Sequence, residues 1–436
     1  MFRQILEADL TWTGERFSPG VRVAVGVDGR IEAVGELADA PTQRLAGIAL
    51  LPGFINVHSH AFQRGLRGRG ETFPSGAGSF WSWREEMYRL VDSMDEPTIA
   101  MLSRQAFEEM LAAGITTVGE FHYLHHDSSG TGYLFDEVIL RTAKEVGIRI
   151  VLLNTFYHTG GLNHTGHLPL AGGQLRFNTR SVDEYWRQFE RLSSMLDPET
   201  QSMGAVAHSI RAAPIEMIAE LHQESVRRHL PFHIHVEEQP REIEDCVHRY
   251  SKPPMALLNE HLAIDPKFTA IHCTHTAGVD LDDFLNAGGN VGICPMSEAN
   301  LGDGLANVPA MLRRGGHICI GTDANTRLSM TEELRWLEYG QRLAHQKRGV
   351  CVDADGRVAE RLLEMGTLNG ARSLALRAGA IKPGHVADFI AIDLRTPTLA
   401  GFDPASLLAA LILGTGNEAI TGVCVGGRWR NVNRTA

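Results

Sequence analysis

The stretch Phe54–Arg64, FINVHSHAFQR, decides how the rest of the chain is understood. It opens as a short apolar run and ends with two histidines, His58 and His60, two residues apart. On a β-strand, residues i and i+2 project to the same side, so both imidazoles fall on one face of a strand end. Two imidazoles so placed hold a metal ion or are ordinary polar side chains. The stretch alone leaves both readings open.

Seven further apolar runs follow it: GITTVGEF (114–121), RIVLLNTF (149–156), GAVAHSI (204–210), PFHIHVEE (231–238), FTAIHCTH (268–275), NVGICP (290–295) and HICIGTD (317–323). Most precede a segment of helical periodicity. Two of these segments open on capping-box patterns, Ser181 with Glu184 and Ser329 with Glu332. Strands buried on both faces of a parallel sheet have this nearly continuous apolar character. Eight β/α units fit a (β/α)8 barrel; an open doubly wound sheet is the alternative, and the count of eight favours the barrel. Both chain ends differ. RVAVGVDGRIEAVGE (22–36) alternates around a turn at Asp28-Gly29, and ADFIAIDL (387–394) and ITGVCVGGRW (420–429) are strand-like. The expected architecture is a TIM-like catalytic barrel over residues 51–379. A small β-sandwich formed by residues 1–50 and 380–436 joins it.

Bulk composition narrows the function classes. The 436 residues carry 41 Lys+Arg against 52 Asp+Glu, a net charge of −11. That balance argues against a general affinity for nucleic acid or an anionic membrane surface, and leaves room for a small substrate. No apolar run reaches the roughly 18 residues of a membrane helix, and the N-terminus shows no signal-peptide core. The six cysteines form no C-x-x-C pair and mostly sit in apolar, strand-like surroundings. This suits buried thiols and a cytoplasmic setting. Barrels of this size often form homodimers, although no interface patch is legible in the chain.

In a (β/α)8 barrel the chemistry sits at the C-terminal strand ends. The ligand-type residues cluster there: His58 and His60, then Glu120 with His122 and Tyr123, His208 with Arg211, His233 and His235 with Glu237 and Glu238, His272 with His275, and Asp323. One such histidine is most often a satisfied polar residue; a His-x-His, a further His and an Asp from separate strands of one rim make a specific constellation. His58, His60, His235 and Asp323 are the expected metal ligands, for Zn²⁺ or another first-row divalent ion, with a position left for a water that the ion acidifies. Glu238, three residues after His235, is placed to move the proton as general acid/base, with Glu237 beside it as the solvated alternative. His272 and Asp323 are placed to orient the water, and Asp323 also to take a proton. The fourth run has His208 and no lysine, so nothing supplies the bridging carbamate of a two-metal barrel; one ion is expected.

Together LPGFINVHSH, HIHVEEQ, IHCTH, GTDAN and IKPGHVADFIAID resemble the amidohydrolase superfamily over nearly the whole chain, and the spacing of His235 and Glu238 resembles its deaminase branch. HSHAFQR, GSFWSWRE, VGEFHYLHH, AHSIRA, SEANLGDG and EELRWLEYGQRL further resemble the iminohydrolases that act on N-formimino-L-glutamate. That resemblance implies zinc on His58, His60, His235 and Asp323. It implies proton transfer by Glu238 and contact of His272 with the attacking water. It also implies substrate contacts from Gln63, Arg84, Tyr123, His208 and Arg211. A dicarboxylate substrate agrees with two arginines, whose planar guanidinium groups pair with carboxylates. Arg84 lies among Trp81, Trp83 and Tyr88, in a stretch expected to be a loop. One departure stands out: the family usually has SDSH after the metal strand, whereas this chain has TDAN, Thr322–Asn325. Asparagine is no base, so the departure bears on the shape of the pocket. Arg327 just beyond is expected to be a solvated loop residue. The rival readings are a deaminase of another amidine or of a purine- or pterin-like heterocycle, and a barrel scaffold without activity.

Overall fold

The computed structural model describes residues 2–73 and 78–431. Residues 1, 74–77 and 432–436, which fall within the expected domain spans, lie outside the described residues. The chain begins with β1 (Phe2–Trp12), β2 (Phe17–Ser18), β3 (Arg22–Gly26), β4 (Ile31–Gly35) and β5 (Gln43–Pro52). It then lays down β6 (Phe54–Ser59), β7 (Ile115–His122) and β8 (Arg149–Phe156), an inserted hairpin β9 (Gly161–Asn163) and β10 (Gly166–Leu168), and β11 (Gln201–Ser209). β12 (Phe232–Val236), β13 (Phe268–His272), β14 (Asn290–Ile293) and β15 (His317–Ile320) follow, and β16 (Phe389–Asp393), β17 (Ile420–Val425) and β18 (Arg428–Asn431) end it.

The eight apolar runs are the strands of one parallel sheet, ordered β15-β14-β13-β12-β11-β8-β7-β6. All eight residues of β7 and of β8 are buried, which explains why polar alternation is absent from their sequence. The two end strands meet through a parallel bridge between Ser59 and Asp323. The amides of Thr322 and Asp323 donate to the His58 carbonyl at 2.9 and 3.0 Å, and the His60 amide donates to the Asp323 carbonyl at 3.0 Å. The barrel therefore closes at the residues expected to bind metal. Gly321 permits this approach: a Cβ there would stand 2.7 Å from both His58 Cβ and Cys294 Sγ.

The strands of both chain ends form a second sheet, ordered β18-β17-β16-β5-β1-β3-β4 with β2 on β1. It is one sheet curled on itself. The Gly29 carbonyl accepts from the Ala387 amide at 2.8 Å, and the Ala387 carbonyl accepts from the Gly427 amide at 2.9 Å, so distant strands meet. Leu6, Val23, Ile31, Leu50, Phe389 and Cys424 fill its own small core. This layer docks on the beginnings of the barrel strands. Arg149, first residue of β8, makes a bidentate pair with Asp388 at 2.8 and 3.0 Å, both side chains being buried.

The Ser181 hydroxyl accepts from the Glu184 amide at 3.1 Å and caps the helix Val182–Ser193, but the expected box is only half formed, because the Glu184 carboxylate accepts from the Tyr133 hydroxyl at 2.9 Å. The second capping box is not formed. Ser329 donates to Asn417 Oδ1 at 2.8 Å, a tertiary partner that outcompetes the local cap, and the helix Met330–His345 starts without it. All six cysteines are free and buried. Among the described residues, no helix is long and apolar enough to cross a membrane.

Candidate active site

Strand ends deliver the quartet. His58 Nε2 and His60 Nε2 each stand 3.3 Å from Asp323 Oδ1, and His235 Nε2 stands 3.2 Å from His58 Nε2. All four side chains are buried. His60 Nδ1 lies 2.7 Å from the Phe121 carbonyl and His235 Nδ1 lies 2.9 Å from the His208 carbonyl. A carbonyl only accepts, so both Nδ1 atoms carry the proton and both Nε2 atoms turn bare lone pairs to the centre. Phe121 fixes the rings from the side, with centroids 4.9 Å from His58 and 4.3 Å from His235.

The electrostatics agree with a cation site. Burial lowers His58 to about 3 despite the neighbouring Asp323, and burial likewise lowers His60 and His235, so all three imidazoles are neutral, the ligand form. Burial alone would raise Asp323, but His58, His60 and His272 hold it well below the usual carboxylate range. The bare lone pairs of His60 and His235, the neutral His58 ring and the Asp323 carboxylate converging on one point fit a divalent ion.

Two glutamates compete for the proton-transfer role. Glu237 takes a left-handed φ of 53°, which turns the chain, and its carboxylate accepts from the Met255 amide at 2.9 Å, away from the pocket. Glu238 lines the pocket. Its carboxylate is 3.8 Å from His272 Nε2 and 3.6 Å from Arg211 Nη2. Burial raises Glu238, and His272 and Arg211 only partly offset it. Burial alone would depress His272; the carboxylates of Glu238, Glu298 and Asp323 outweigh it and lift the imidazole to about 10.

One cavity collects His60, Gln63, Arg84, Tyr123, His208, Arg211, His235, Glu238, His272 and Asp323. Gln63 Nε2 donates to the Tyr123 hydroxyl at 2.7 Å, leaving Gln63 Oε1 buried without a partner. Arg211 Nε is also buried and makes no hydrogen bond, its ion-pair partner Glu242 standing 3.7 Å away. Arg84 is not in a loop as expected. It lies in the helix Phe80–Asp92, started by a reciprocal cap between Ser79 and Ser82. Helical spacing brings Arg84 Nε to the Tyr88 hydroxyl at 2.6 Å and sets its guanidinium 5.4 Å from the Trp81 ring.

Several residues at this site escape sequence reasoning. Trp83 and Tyr88, expected only as neighbours of Arg84, line the cavity together with Tyr157, and Gln174 donates to the Tyr88 hydroxyl at 3.0 Å and to the Gly160 carbonyl at 2.8 Å. Tyr157 is the one carrying a usable signal, since it directly follows β8 at the active rim. Gln174 sits in a short turn that nothing in the sequence marks. Other rim residues turn away. His122 faces outward and joins His125 and Asp136 in a separate buried cluster. Arg327 is exposed and pairs with Glu332 at 2.5 Å. Asn325 does not line the cavity: its amide donates to Ser59 Oγ at 3.0 Å and to the His60 carbonyl at 3.1 Å, and its oxygen accepts from Thr322 Oγ1 at 2.7 Å. The TDAN sequence thus braces the closure of the barrel from behind.

A (β/α)8 barrel whose C-terminal rim presents three neutral histidines, an aspartate and a pocket glutamate defines the class of metal-dependent hydrolases. The chain belongs to the amidohydrolase family, whose model matches residues 49–430. It is 36% identical over 420 residues to the formimidoylglutamate deiminase of Pseudomonas aeruginosa, spanning 95% of this chain and 92% of that one. A 5-methylthioadenosine/S-adenosylhomocysteine deaminase of Syntrophobacter fumaroxidans is 28% identical over 414 residues, 91% of this chain and 85% of that one. Among solved structures, an amidohydrolase from Brucella melitensis superposes with a TM-score of 0.89 at 31% identity, covering 99% of this chain and 96% of that chain. An adenosine deaminase from Xanthomonas campestris with bound zinc shares the fold at a TM-score of 0.81 and 24% identity, covering 99% and 93%.

Proposed function

We propose that the protein is a metal-dependent deiminase that converts N-formimino-L-glutamate and water to N-formyl-L-glutamate and ammonia. The observation that carries the substrate class is the presence of two guanidinium groups, Arg84 and Arg211, in the cavity that His60, His235 and Asp323 also line. A dicarboxylate needs two such partners; a neutral heterocycle needs none. The full-length likeness to the Pseudomonas aeruginosa enzyme supports the same reading.

His58, His60, His235 and Asp323 are assigned as ligands of one divalent ion, Zn²⁺ by the imidazole-rich donor set. When bound, such an ion acidifies water toward neutral pH. Glu238 takes the first proton as the water oxygen attacks the formimino carbon, and hands it to the imino nitrogen. Asp323 accepts the remaining hydroxyl proton and Glu238 relays it to the same nitrogen. The C=O forms, the C–N bond breaks and ammonia leaves, so protons and charge balance. His272 holds the attacking oxygen through Nε2. Arg84 and Arg211 pair with the two carboxylates, and Gln63, Tyr123 and His208 orient the formimino end. Ammonia release from N-formimino-L-glutamate, N-formimino-L-aspartate, guanine and 5-methylthioadenosine tests the reading. Turnover of N-formimino-L-glutamate is expected; turnover of a purine with none of the formimino acids would overturn it.

A further inference from the structure

Glu298 takes no part in the assignments above, yet it is buried one strand away from His272. It lies in the short helix Pro295–Leu301 that follows β14. Its Oε1 accepts from the Cys294 amide at 2.9 Å and stands 3.2 Å from His272 Nδ1. The amide anchors the carboxylate, and the carboxylate in turn meets the ring.

His272 needs such an anchor. It ends β13 with a φ of 74°, and Cys273 follows with a φ of 49°. Left-handed backbone costs a non-glycine residue of order 1 kcal/mol or more and persists only where surrounding contacts enforce it. The ring lies nearly parallel to His235, at an interplanar angle of 12° and 5.4 Å between centroids. This stacking fixes the plane of the ring but not which nitrogen points into the cavity. An acceptor at Nδ1 makes that choice, as the carbonyls do for His60 and His235. Nε2 is then the atom directed at Glu238, 3.8 Å away.

We infer that Glu298 is a positioning residue: it holds His272 with Nδ1 protonated toward the barrel wall and Nε2 toward the reacting atoms. The inference rests on the deiminase reading of this pocket. Removing Glu298 should lower kcat through loss of His272 orientation, leaving KM and metal content unchanged, because Glu298 touches neither the substrate cavity nor the quartet.

The test is a double-mutant cycle on the metal-loaded protein. Glu298→Ala should reduce kcat for ammonia release by about 10- to 100-fold, the usual cost of losing an orienting partner behind a functional histidine. Glu298→Gln, which keeps an acceptor oxygen, should recover most of that loss. In a His272→Asn background, Glu298→Ala should change kcat less than about threefold, since a residue that acts through His272 has nothing left to act on. Multiplicative losses, an unchanged kcat in Glu298→Ala, or a loss explained by metal content would overturn the inference. Should Glu298→Ala fail to fold, Glu298→Asp, whose shorter side chain withdraws the carboxylate from Nδ1, carries the same cycle. A second readout needs no turnover: in ¹⁵N-histidine-labelled protein, the Nδ1–H signal that vanishes in His272→Asn should persist in Glu298→Gln and disappear in Glu298→Ala. If the wild type deiminates no amidine, the proposed function fails, while this spectrum still decides whether Glu298 holds the Nδ1–H of His272.

Discussion

Two buried clusters of histidine and aspartate face each other across the wall of strand β7. Inside, His58, His60, His235 and Asp323 converge at the cavity. Outside, His122, His125 and Asp136 lie between the wall and the helix Leu134–Val146. Residue types and burial are alike, and by ligand distance either set is close enough for an ion. The difference lies in what the polar atoms face. His125 Nδ1 is 2.8 Å from Asp136 Oδ1 and its Nε2 is 2.7 Å from the Thr155 carbonyl, so both ring nitrogens face acceptors. Asp136 Oδ2 accepts from Gln188 at 3.0 Å and from Asn154 at 3.4 Å. None of the three lines the active-site cavity. In the outer cluster both His122 nitrogens also lack a hydrogen bond, Nε2 standing 3.2 Å from Asp136 Oδ1, but they face the helix Leu134–Val146 and not the substrate cavity. The inner one leaves lone pairs pointing at space a substrate can enter. Burial and composition mark a polar cluster; unspent atoms beside a cavity mark a site.

The largest effect expected is on the inner side. Glu238→Gln should lower kcat for N-formimino-L-glutamate by about 10³-fold or more, with metal content, measured by elemental analysis, unchanged. Retention of wild-type ammonia release would remove Glu238 from the chemistry. On the outer side, Asp136→Ala should cost about 1–3 kcal/mol of stability in chemical denaturation by leaving the buried His125 Nδ1 and the Gln188 amide without their acceptor. It should also keep the bound ion. Loss of the ion with little loss of stability would instead make the outer cluster a metal site and break the comparison. Arg211→Ala should raise KM for the dicarboxylate by about 10²-fold, the cost of a lost charged contact, and should leave the affinity for the ion intact.

The smallest effect concerns His222, a buried histidine with neither an ion nor an acid bonded to it. Its Nε2 has no partner, its ring packs on Phe232 and Phe268, and burial lowers it to about 4. The unfolded chain protonates this group below about 6.5 while the folded protein resists down to about 4. The unfolded state therefore binds more protons in that window, and stability falls as pH drops, by up to about 1.4 kcal/mol per pH unit. His222→Leu should flatten the pH dependence of the denaturation midpoint between pH 6.5 and 5. An unchanged slope would show that the ring is already protonated in the fold.

Legibility followed the range of the interactions. The eight barrel strands were visible because strands covered on both faces are continuous apolar runs, and the ligands because they sit at the ends of those runs. The sequence around Arg84 reads as a loop because Trp81, Trp83 and Tyr88 give a weak helical pattern, and the Ser79–Ser82 cap that starts the helix is a polar detail. The second capping box failed because Asn417, almost ninety residues on, takes the Ser329 hydroxyl. His122 and Tyr123 looked equivalent beside Glu120, yet one turns to the helix layer and the other to the cavity.

By itself the sequence determined the parts that depend on short periods: eight strand-and-helix units, a β-rich pair of ends, and His58 and His60 on one face of one strand. It also determined the inventory of donors, including the absence of a bridging lysine. Tertiary structure decided which donors act together. Barrel closure brings Asp323 to His58 and His60 across more than 260 residues, and a left-handed turn at Glu237 chooses Glu238 for the cavity. A strand's period says which residues share a face. Only the closed barrel says whether that face meets a cavity, a helix or another ligand.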